Sequence, residues 1–424
     1  MIRRVFHLYR AAFSGLPRDL WLLAFIALVN RSGSMVLPFL GLYLTREQGL
    51  GVAAAGRLLA LYGVGAVVGA WLGGWLSDRI GALQTQRLSL AASGAGFLLF
   101  PALRSPGAIA VGVLVLSVIA ESFRPANMAE FSHRAPAGRQ GRAFALLRLA
   151  ANLGVSVGPA VGGILAVRSY VWLFVGDALT CWIAAAMLLL LVRPLPADMP
   201  AAGGPLPAPD RGPWRDGPFL ALMGLVMLIA VVFFQVMSTL PLDLNGRLGF
   251  REDVIGGLLA LNAGLIVIFE MVLIHWSERH ERMHVVAGGV LLLCLGFGLI
   301  PLGISVGYVM LTIVVWTVGE MFALPMITAV VADRAGRGMR GRYMGFYTMA
   351  FGLAFLLGPF CGTAIYARFG ARALWFGIGG MGPALAIGAL LLRRPLARRS
   401  AIGAPSRAAA VPGTGDLNDN GPGR

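Results

Sequence analysis

The chain is a string of apolar runs about 20 residues long. That length decides most of what it can fold into, because a helix rising 1.5 Å per residue needs about 20 residues to cross a hydrocarbon core about 30 Å thick. The runs fall at 20–44, 54–76, 84–104, 107–129, 142–166 and 170–193. After an interruption they resume at 218–241, 255–275, 284–303, 306–331, 342–366 and 372–393. Hydrophobic residues make up 58% of the sequence and charged residues 13%, where soluble domains carry about 25% charged residues. Too little polar surface remains to cover a soluble particle of 44.7 kDa. The sequence therefore predicts an all-α integral membrane protein with twelve transmembrane helices.

The formal charge of +16 is carried entirely by arginine, with no lysine. These arginines sit between the apolar runs rather than interleaved with aromatics on a polar face, which excludes a nucleic-acid surface. Pro194 to Gly217, rich in Pro, Ala and Gly, reads as a flexible linker. The expected organisation is a six-helix bundle at 1–193, a cytoplasmic linker at 194–217, a second six-helix bundle at 218–396 and a disordered tail at 397–424. The segments on the linker's side of the membrane carry about twice the arginines of those on the other side. Both termini are thus expected in the cytoplasm and the protein in the cell inner (plasma) membrane. Arg3, Arg4 and Arg10 interleave with Val5, Phe6, Leu8 and Tyr9, a pattern for an interfacial helix rather than a cleaved leader.

Chemistry-bearing motifs are few. Cys181, Cys294 and Cys361 lie far apart inside apolar runs, with neither disulfide nor metal-ligand spacing. His7, His133, His275, His280 and His284 fall at the N-terminus, in loops or at span ends, without HExxH spacing, and read as a solvated basic rim. Without lysine there is no GxxxxGK[ST] loop and hence no ATPase of the chain's own. No enzyme, metal or cofactor is expected; transport would run downhill or on an ion gradient.

Sliding the chain against itself by 200 residues exposes an internal repeat. Leu58-Leu59-Ala60-Leu61 falls on Leu258-Leu259-Ala260-Leu261, and Ser77-Asp78-Arg79 on Ser277-Glu278-Arg279. Pro101, Pro125 and Arg134 meet Pro301, Pro325 and Arg334, and Gly158-Pro159 meets Gly358-Pro359. Rare prolines and loop arginines sharing one gapless offset mark two copies of one unit. Six helices is an even number, so both copies enter from the same side and are related by an axis along the membrane normal.

At these residues the chain resembles the major facilitator superfamily. Gly74-Trp75-Leu76-Ser77-Asp78-Arg79-Ile80-Gly81 looks like that superfamily's GxxxDRxG loop. Read physically, Gly74 lets two helices approach closely, Asp78 sits at a helix end where it can hold the other half through ion pairs, and Gly81 permits a tight turn. Glu278 and Arg279 repeat the motif weakly. Such a latch favours the state closed to the cytoplasm. Ala82 and Leu83 stand where a basic pair often follows. Gly154, Gly158, Pro159 and Gly162 are similar to the GxxxGPxxGG element of twelve-helix drug:proton antiporters, with Ala145 in place of that family's earlier glycine and no arginine between Gly107 and Ser117.

A charge at the bilayer centre costs about 2.5–3.5 kcal/mol or more, so it faces a cavity or a partner. The resemblance implies that spans one, four, seven and ten line a central cavity, which makes Arg31, Glu121, Arg124, Gln235 and Glu320 the transport and proton-coupling candidates. Glu121 or Glu320 is expected to carry the proton and Arg31 to pair with a carboxylate or an anionic substrate. Asp177 and Glu270 lie on spans expected to support rather than line the cavity. The resemblance implies a monomeric secondary transporter in the lipid bilayer that exports small, partly lipophilic molecules against protons. The alternatives are proton-linked uptake of a small metabolite, or a non-transporting scaffold or receptor on the same fold.

Overall fold

The computed structural model describes residues 15–136, 140–193, 213–277, 279–334 and 336–402, which are helical almost throughout and contain no strand. In order the helices are α1 (Arg18–Glu47), α2 (Val52–Ile80), α3 (Ala82–Leu99), α4 (Pro106–Arg134), α5 (Gln140–Arg168), α6 (Val171–Leu191), α7 (Gly217–Met237), α8 (Glu252–Ser277), α9 (Arg282–Leu302) and α10 (Val306–Arg334). The run Gly336–Ile402 follows. Its apolar part, Arg342–Leu396, has 55 residues. At 1.5 Å per residue that is about 80 Å, far more than one crossing can use. It folds back at Gly370, whose φ of 83° belongs to the left-handed region that favours glycine. Tyr343 and Leu396, at its two ends, both reach the Asp216–Arg334 cluster described below. The run is therefore two antiparallel helices, α11 (342–369) and α12 (371–396).

Among the described residues ten helices are long and apolar enough to cross a membrane when that run counts once; dividing it and adding α3 agrees with twelve. The reason α3 is less apolar is visible in its packing. Its polar residues Thr85, Gln86, Ser89 and Ser93 are buried, and several spend their donors on neighbouring helices. Ser89 donates to Ile119 O (2.7 Å) and Arg87 to Leu188 O (2.8 Å). The expected N-terminal interfacial helix, the linker at 194–212 and the tail from 403 lie outside the described residues. Residues 397–402 continue the last helix instead of beginning a disordered tail.

Each half is tied together at the linker end by a buried arginine, the pair that the internal repeat aligns. Arg134 binds Glu130 (2.7 Å), Asp19 (2.5 Å) and Arg193 O (2.6 Å), joining α4, α1 and the end of α6. Arg334 binds both oxygens of Asp216 (2.7 and 2.9 Å) and Leu396 O (2.7 Å), joining α10, the start of α7 and the end of α12. Burial pushes the Asp216 carboxyl up, but the hydrogen bonds and charge of Arg334, with the Tyr343 hydroxyl at 3.0 Å, outweigh it and hold the group below its ordinary value.

The halves meet at the opposite end. A methyl added at Gly163 of α5 would fall 2.4 Å from Glu252 O of α8, and one at Gly256 2.2 Å from Pro159 O, so the two backbones are in direct contact. Between α2 and α11 the contacts loosen toward the linker end. A methyl at Gly56 would strike Thr363 Oγ1 at 1.7 Å, one at Gly63 would sit 3.0 Å from the Leu356 backbone and one at Gly352 3.2 Å from Val67. At Gly74 and Gly345 nothing lies within 4 Å. The halves diverge like a V that opens toward the linker end.

This divergence corrects the reading of Gly74. The glycines that bring α2 against α4 are Gly65, Gly69 and Gly73, four apart on one helical stripe. A methyl at Gly73 would lie 2.2 Å from Ser122 O. Gly74 is one position, or about 100° of helix rotation, off that stripe.

Candidate transport site

Three of the helices around the seam are interrupted. The α-helical geometry of α1 lapses at Gly33–Met35, that of α4 at Ser122 and that of α7 over Phe234–Ser238. A break frees backbone donors that need partners where no water is available. In α1 the partner is Asp177 of α6, whose carboxylate accepts from Met35 N–H (2.9 Å) and Val36 N–H (3.2 Å). The expected structural role of Asp177 thus takes the form of a side-chain cap on a broken helix. Gly33 beside the break has no room for a side chain, since a methyl there would fall 1.8 Å from Thr180 Oγ1. The helix-five motif seats α1 from the other side. Methyls at Gly154, Gly158 and Gly162 would meet Arg31 Cβ (2.5 Å), Ser34 O (3.1 Å) and Met35 Cβ (3.0 Å). Pro159 turns its carbonyl to Gly256 of α8, so this one element packs within its half on one face and across the seam on the other.

One cavity lies on the seam and another lies within the N-terminal half. The larger, about 220 Å³, lies between α5, α8, α10 and α11 and is lined by Arg148, Asn152, Glu270, Glu320, Thr328, Tyr347 and Phe351 among others. Arg148 of one half and Glu270 of the other form an ion pair across it at 2.5 Å. Glu320 is buried, with 8% exposure. Its recorded partner is Asn262 Nδ2, which donates to it at 3.0 Å and also approaches Thr317 Oγ1 at 3.0 Å. Among the described residues no arginine pairs with Glu320, although Glu270 lies within electrostatic range. The smaller cavity, about 90 Å³, sits inside the N-terminal half beside the α1 break, where Arg31, Tyr62, Glu121 and Asp177 line its polar end.

The sequence candidates are therefore distributed unevenly. Arg31 and Glu121 share the smaller cavity and Glu320 lines the larger. Glu121 accepts from Tyr62 Oη at 3.2 Å, and no ion pair joins it to Arg124 among the described residues. Arg124 is exposed at the seam, within electrostatic range of Arg31, Glu121 and Tyr347. Gln235 lines neither cavity. It is buried, donating to Val231 O (3.0 Å) and Gly358 O (2.9 Å) and accepting from Thr239 (2.7 Å), so it bridges the α7 break to α11. An amide suits that place because it supplies both donor and acceptor where the backbone ladder is broken. Glu270, expected in a supporting role, lines the larger cavity instead. Arg148 with Asn152, and Asn262 with Glu270, are polar pairs spaced by one or two turns in apolar runs; that spacing was the available signal for a cavity-facing stripe.

The loop motif is turned to solvent. Asp78 and Arg79 are exposed, Arg79 stacks on Trp75 at 4.3 Å, and Gly81 takes φ 88° at the turn into α3. Arg279 is exposed as well, and Glu278 lies outside the described residues. At the sealed end, Glu252 at the start of α8 receives Arg46 of α1 (3.5 Å) and the Tyr170 hydroxyl at the start of α6 (2.8 Å). Among the described residues no group of His, Cys, Asp and Glu is arranged to hold a metal ion.

Helical halves joined at one end, with a charged cavity at their seam, define a membrane transporter. The family model described as Major Facilitator Superfamily matches residues 20–337 and 222–417, and the chain belongs to that superfamily. Its relatives include a Na(+), Li(+), K(+)/H(+) antiporter of Planococcus maritimus, 25% identical over 373 residues, covering 78% of this chain and 85% of the relative. Multidrug resistance protein MdtH of Aeromonas hydrophila is 24% identical over 354 residues, covering 82% and 87%. Among solved structures, a POT family transporter in complex with a thioalcohol-conjugated peptide superimposes with a TM-score of 0.75 at 17% identity, over 91% of this chain and 98% of that one. At that identity the likeness shows the fold. The protein is a multi-pass membrane transporter of the major facilitator superfamily.

Proposed function

We propose that the protein exports small, partly lipophilic molecules across the cell inner membrane in exchange for protons. In this reading the units 1–193 and 218–396 rock about the seam as a monomer with both termini in the cytoplasm. The single observation that carries the reading is Glu320, a buried carboxylate at the seam whose recorded contact is an amide. A buried charge without a cation is costly, and taking up a proton removes that cost. Glu270 and Arg148 next to it provide a second carboxylate and a cation. Shifting Arg148 between the two carboxylates would couple proton binding to a change in how the halves are held. Arg31 and Glu121 line the smaller cavity, with Arg124 within electrostatic range of both, and there a polar substrate group can be held. The names of the two relatives, a cation/proton antiporter and a multidrug resistance protein, support exchange and export. The arginine-rich linker side supports the orientation.

The test is accumulation of a fluorescent lipophilic dye in inverted vesicles driven by an imposed proton gradient. The native protein is expected to accumulate dye and Glu320→Gln to lose gradient-driven accumulation at least about tenfold while retaining dye exchange without a gradient, since Gln keeps the Asn262 contact but takes up no proton. Unchanged gradient-driven accumulation in Glu320→Gln would remove that residue from the coupling.

A further inference from the structure

The two halves repeat one another, yet they are filled differently at a position the repeat makes comparable. Gly96 and Gly296 share the 200-residue offset, and so do their neighbours. A methyl at Gly96 would lie 2.9 Å from Leu116 Cδ1, and one at Gly296 2.6 Å from Trp316 Cβ. Leu116 and Trp316 thus occupy equivalent places. In the C-terminal half Trp316 is fully buried and stacks on Phe297 at 5.2 Å, and Phe297 stacks on Trp375 at 5.8 Å, so aromatic rings fill the space. In the N-terminal half the smaller Leu116 leaves the cavity of about 90 Å³, with Phe100, Val113 and Phe174 on its apolar side.

The second observation is polar. Ser93 also lines this cavity; it is 2% exposed and its hydroxyl has no hydrogen-bond partner among the described residues. Its repeat equivalent is Leu293, a buried apolar residue. Among the described residues of the C-terminal half the unpaired group is instead Trp316 Nε1, set among stacked rings. An apolar chamber that keeps an unsatisfied hydroxyl carries two costs in one place, an open cavity and an unpaired polar group. A ligand with a flat apolar body and one hydroxyl removes both.

We propose that this cavity is a binding pocket for one small hydroxylated aromatic ring, of the phenol class. The ring lies among Phe100, Phe174 and Leu116, and the hydroxyl pairs with Ser93. The polar end is formed by Arg31, Tyr62 and Glu121, so a larger substrate can leave its ring in the pocket and its polar group at those residues. As a substrate subsite the pocket rests on the transport reading; as a binding site it stands without it.

The experiment is ¹⁹F NMR titration of 4-fluorophenol, with fluorobenzene alongside, into the full chain in nanodiscs. The native protein is expected to give saturable binding of both. Leu116→Trp, which installs the C-terminal half's own filler, should weaken both at least about tenfold. Ser93→Ala keeps the space, so it should weaken 4-fluorophenol about fivefold or more and leave fluorobenzene within about twofold. Should the tryptophan variant not fold, the serine variant decides. No saturable 4-fluorophenol binding, binding unchanged in Leu116→Trp, or equal effects of Ser93→Ala on the two probes would each overturn the pocket. Failure of dye transport with intact 4-fluorophenol binding would instead count against proton-coupled export and leave the pocket standing.

Discussion

The two ends of the molecule are held by different physics. At the sealed end the halves grip each other through backbone: Gly163 on α8, Gly256 on Pro159 O, and Gly56 under Thr363. At the linker end each half grips itself, through Arg134 with Asp19 and Glu130, and through Arg334 with Asp216, while a methyl at Gly74 would meet nothing within 4 Å among the described residues and Asp78 is exposed. Small-residue contact depends on shape, is short-ranged and is lost when the helices part. Buried ion pairs within a half stay made whichever way the halves tilt. A transporter that rocks needs both: rigid halves, and an interface that closes without bonds too strong to release.

Breaking the internal grip should have the largest effect and should act on folding. Arg334→Met strands Asp216 in a buried place, and removing one partner of such a pair costs about 3–5 kcal/mol. Thermal unfolding in detergent should show a large drop in melting temperature. Because the Asp216 carboxyl is held below its ordinary value, its contribution is present above the unfolded carboxylate pKa of about 3.9 and disappears as pH falls through the lower folded value. The native melting temperature should therefore be insensitive to this group between about pH 7 and 5 and fall below about pH 4, and Asp216→Asn should remove that part of the acid sensitivity.

Wedging the sealed end should act on conformation rather than folding. Gly163→Leu overpacks a backbone contact, at a cost of about 1–3 kcal/mol to the state in which α5 and α8 touch. That shifts the balance between open and closed ends by about fivefold to 150-fold, read as slower transport with an unchanged unfolding temperature. A comparable loss of melting temperature would mean that the seam belongs to the folding core. Glu252→Gln is milder. Arg46 is 54% exposed in its pair with Glu252, so losing the charge is worth about 1 kcal/mol or less, a few-fold rise in reagent access from the sealed end. Asp78→Asn should be smallest in unfolding experiments, with a melting temperature unchanged within error, because Asp78 is exposed and has no ion pair among the described residues; any effect belongs to transport rate alone.

Much of this architecture was legible in the chain. Run length and hydropathy marked the spans, and the 200-residue offset marked the two halves, down to the paired Arg134 and Arg334. The burial of α3's Ser and Gln residues was not visible, because hydropathy counts a side chain without knowing which carbonyl it will meet. The helix-five glycines were read as packing devices, but not their two faces, one toward α1 and one toward α8. Gly74 and Gln235 were assigned from family position. The structure moves the close approach to Gly73 and gives Gln235 to the α7 break, because one residue along a helix turns a side chain by about 100°. Glu270 was overlooked as a seam residue for a related reason: which face of α8 crosses the interface depends on the glycine contacts of α5, which no local pattern in α8 reveals. Asp177 could not be recognised as a cap before the break in α1 was known.

The central claim is that one seam opens alternately at two ends. Spin labels placed on α2 and α11 at Trp75 and Met344, and at the sealed end at Gln48 and Arg251, would give two distance distributions in a background without the three native cysteines. Stepping the pH across the protonation of Glu320 should lengthen one distance while shortening the other, and Glu320→Gln should hold both at one setting. Two distances that stay fixed, or that lengthen together, would contradict it.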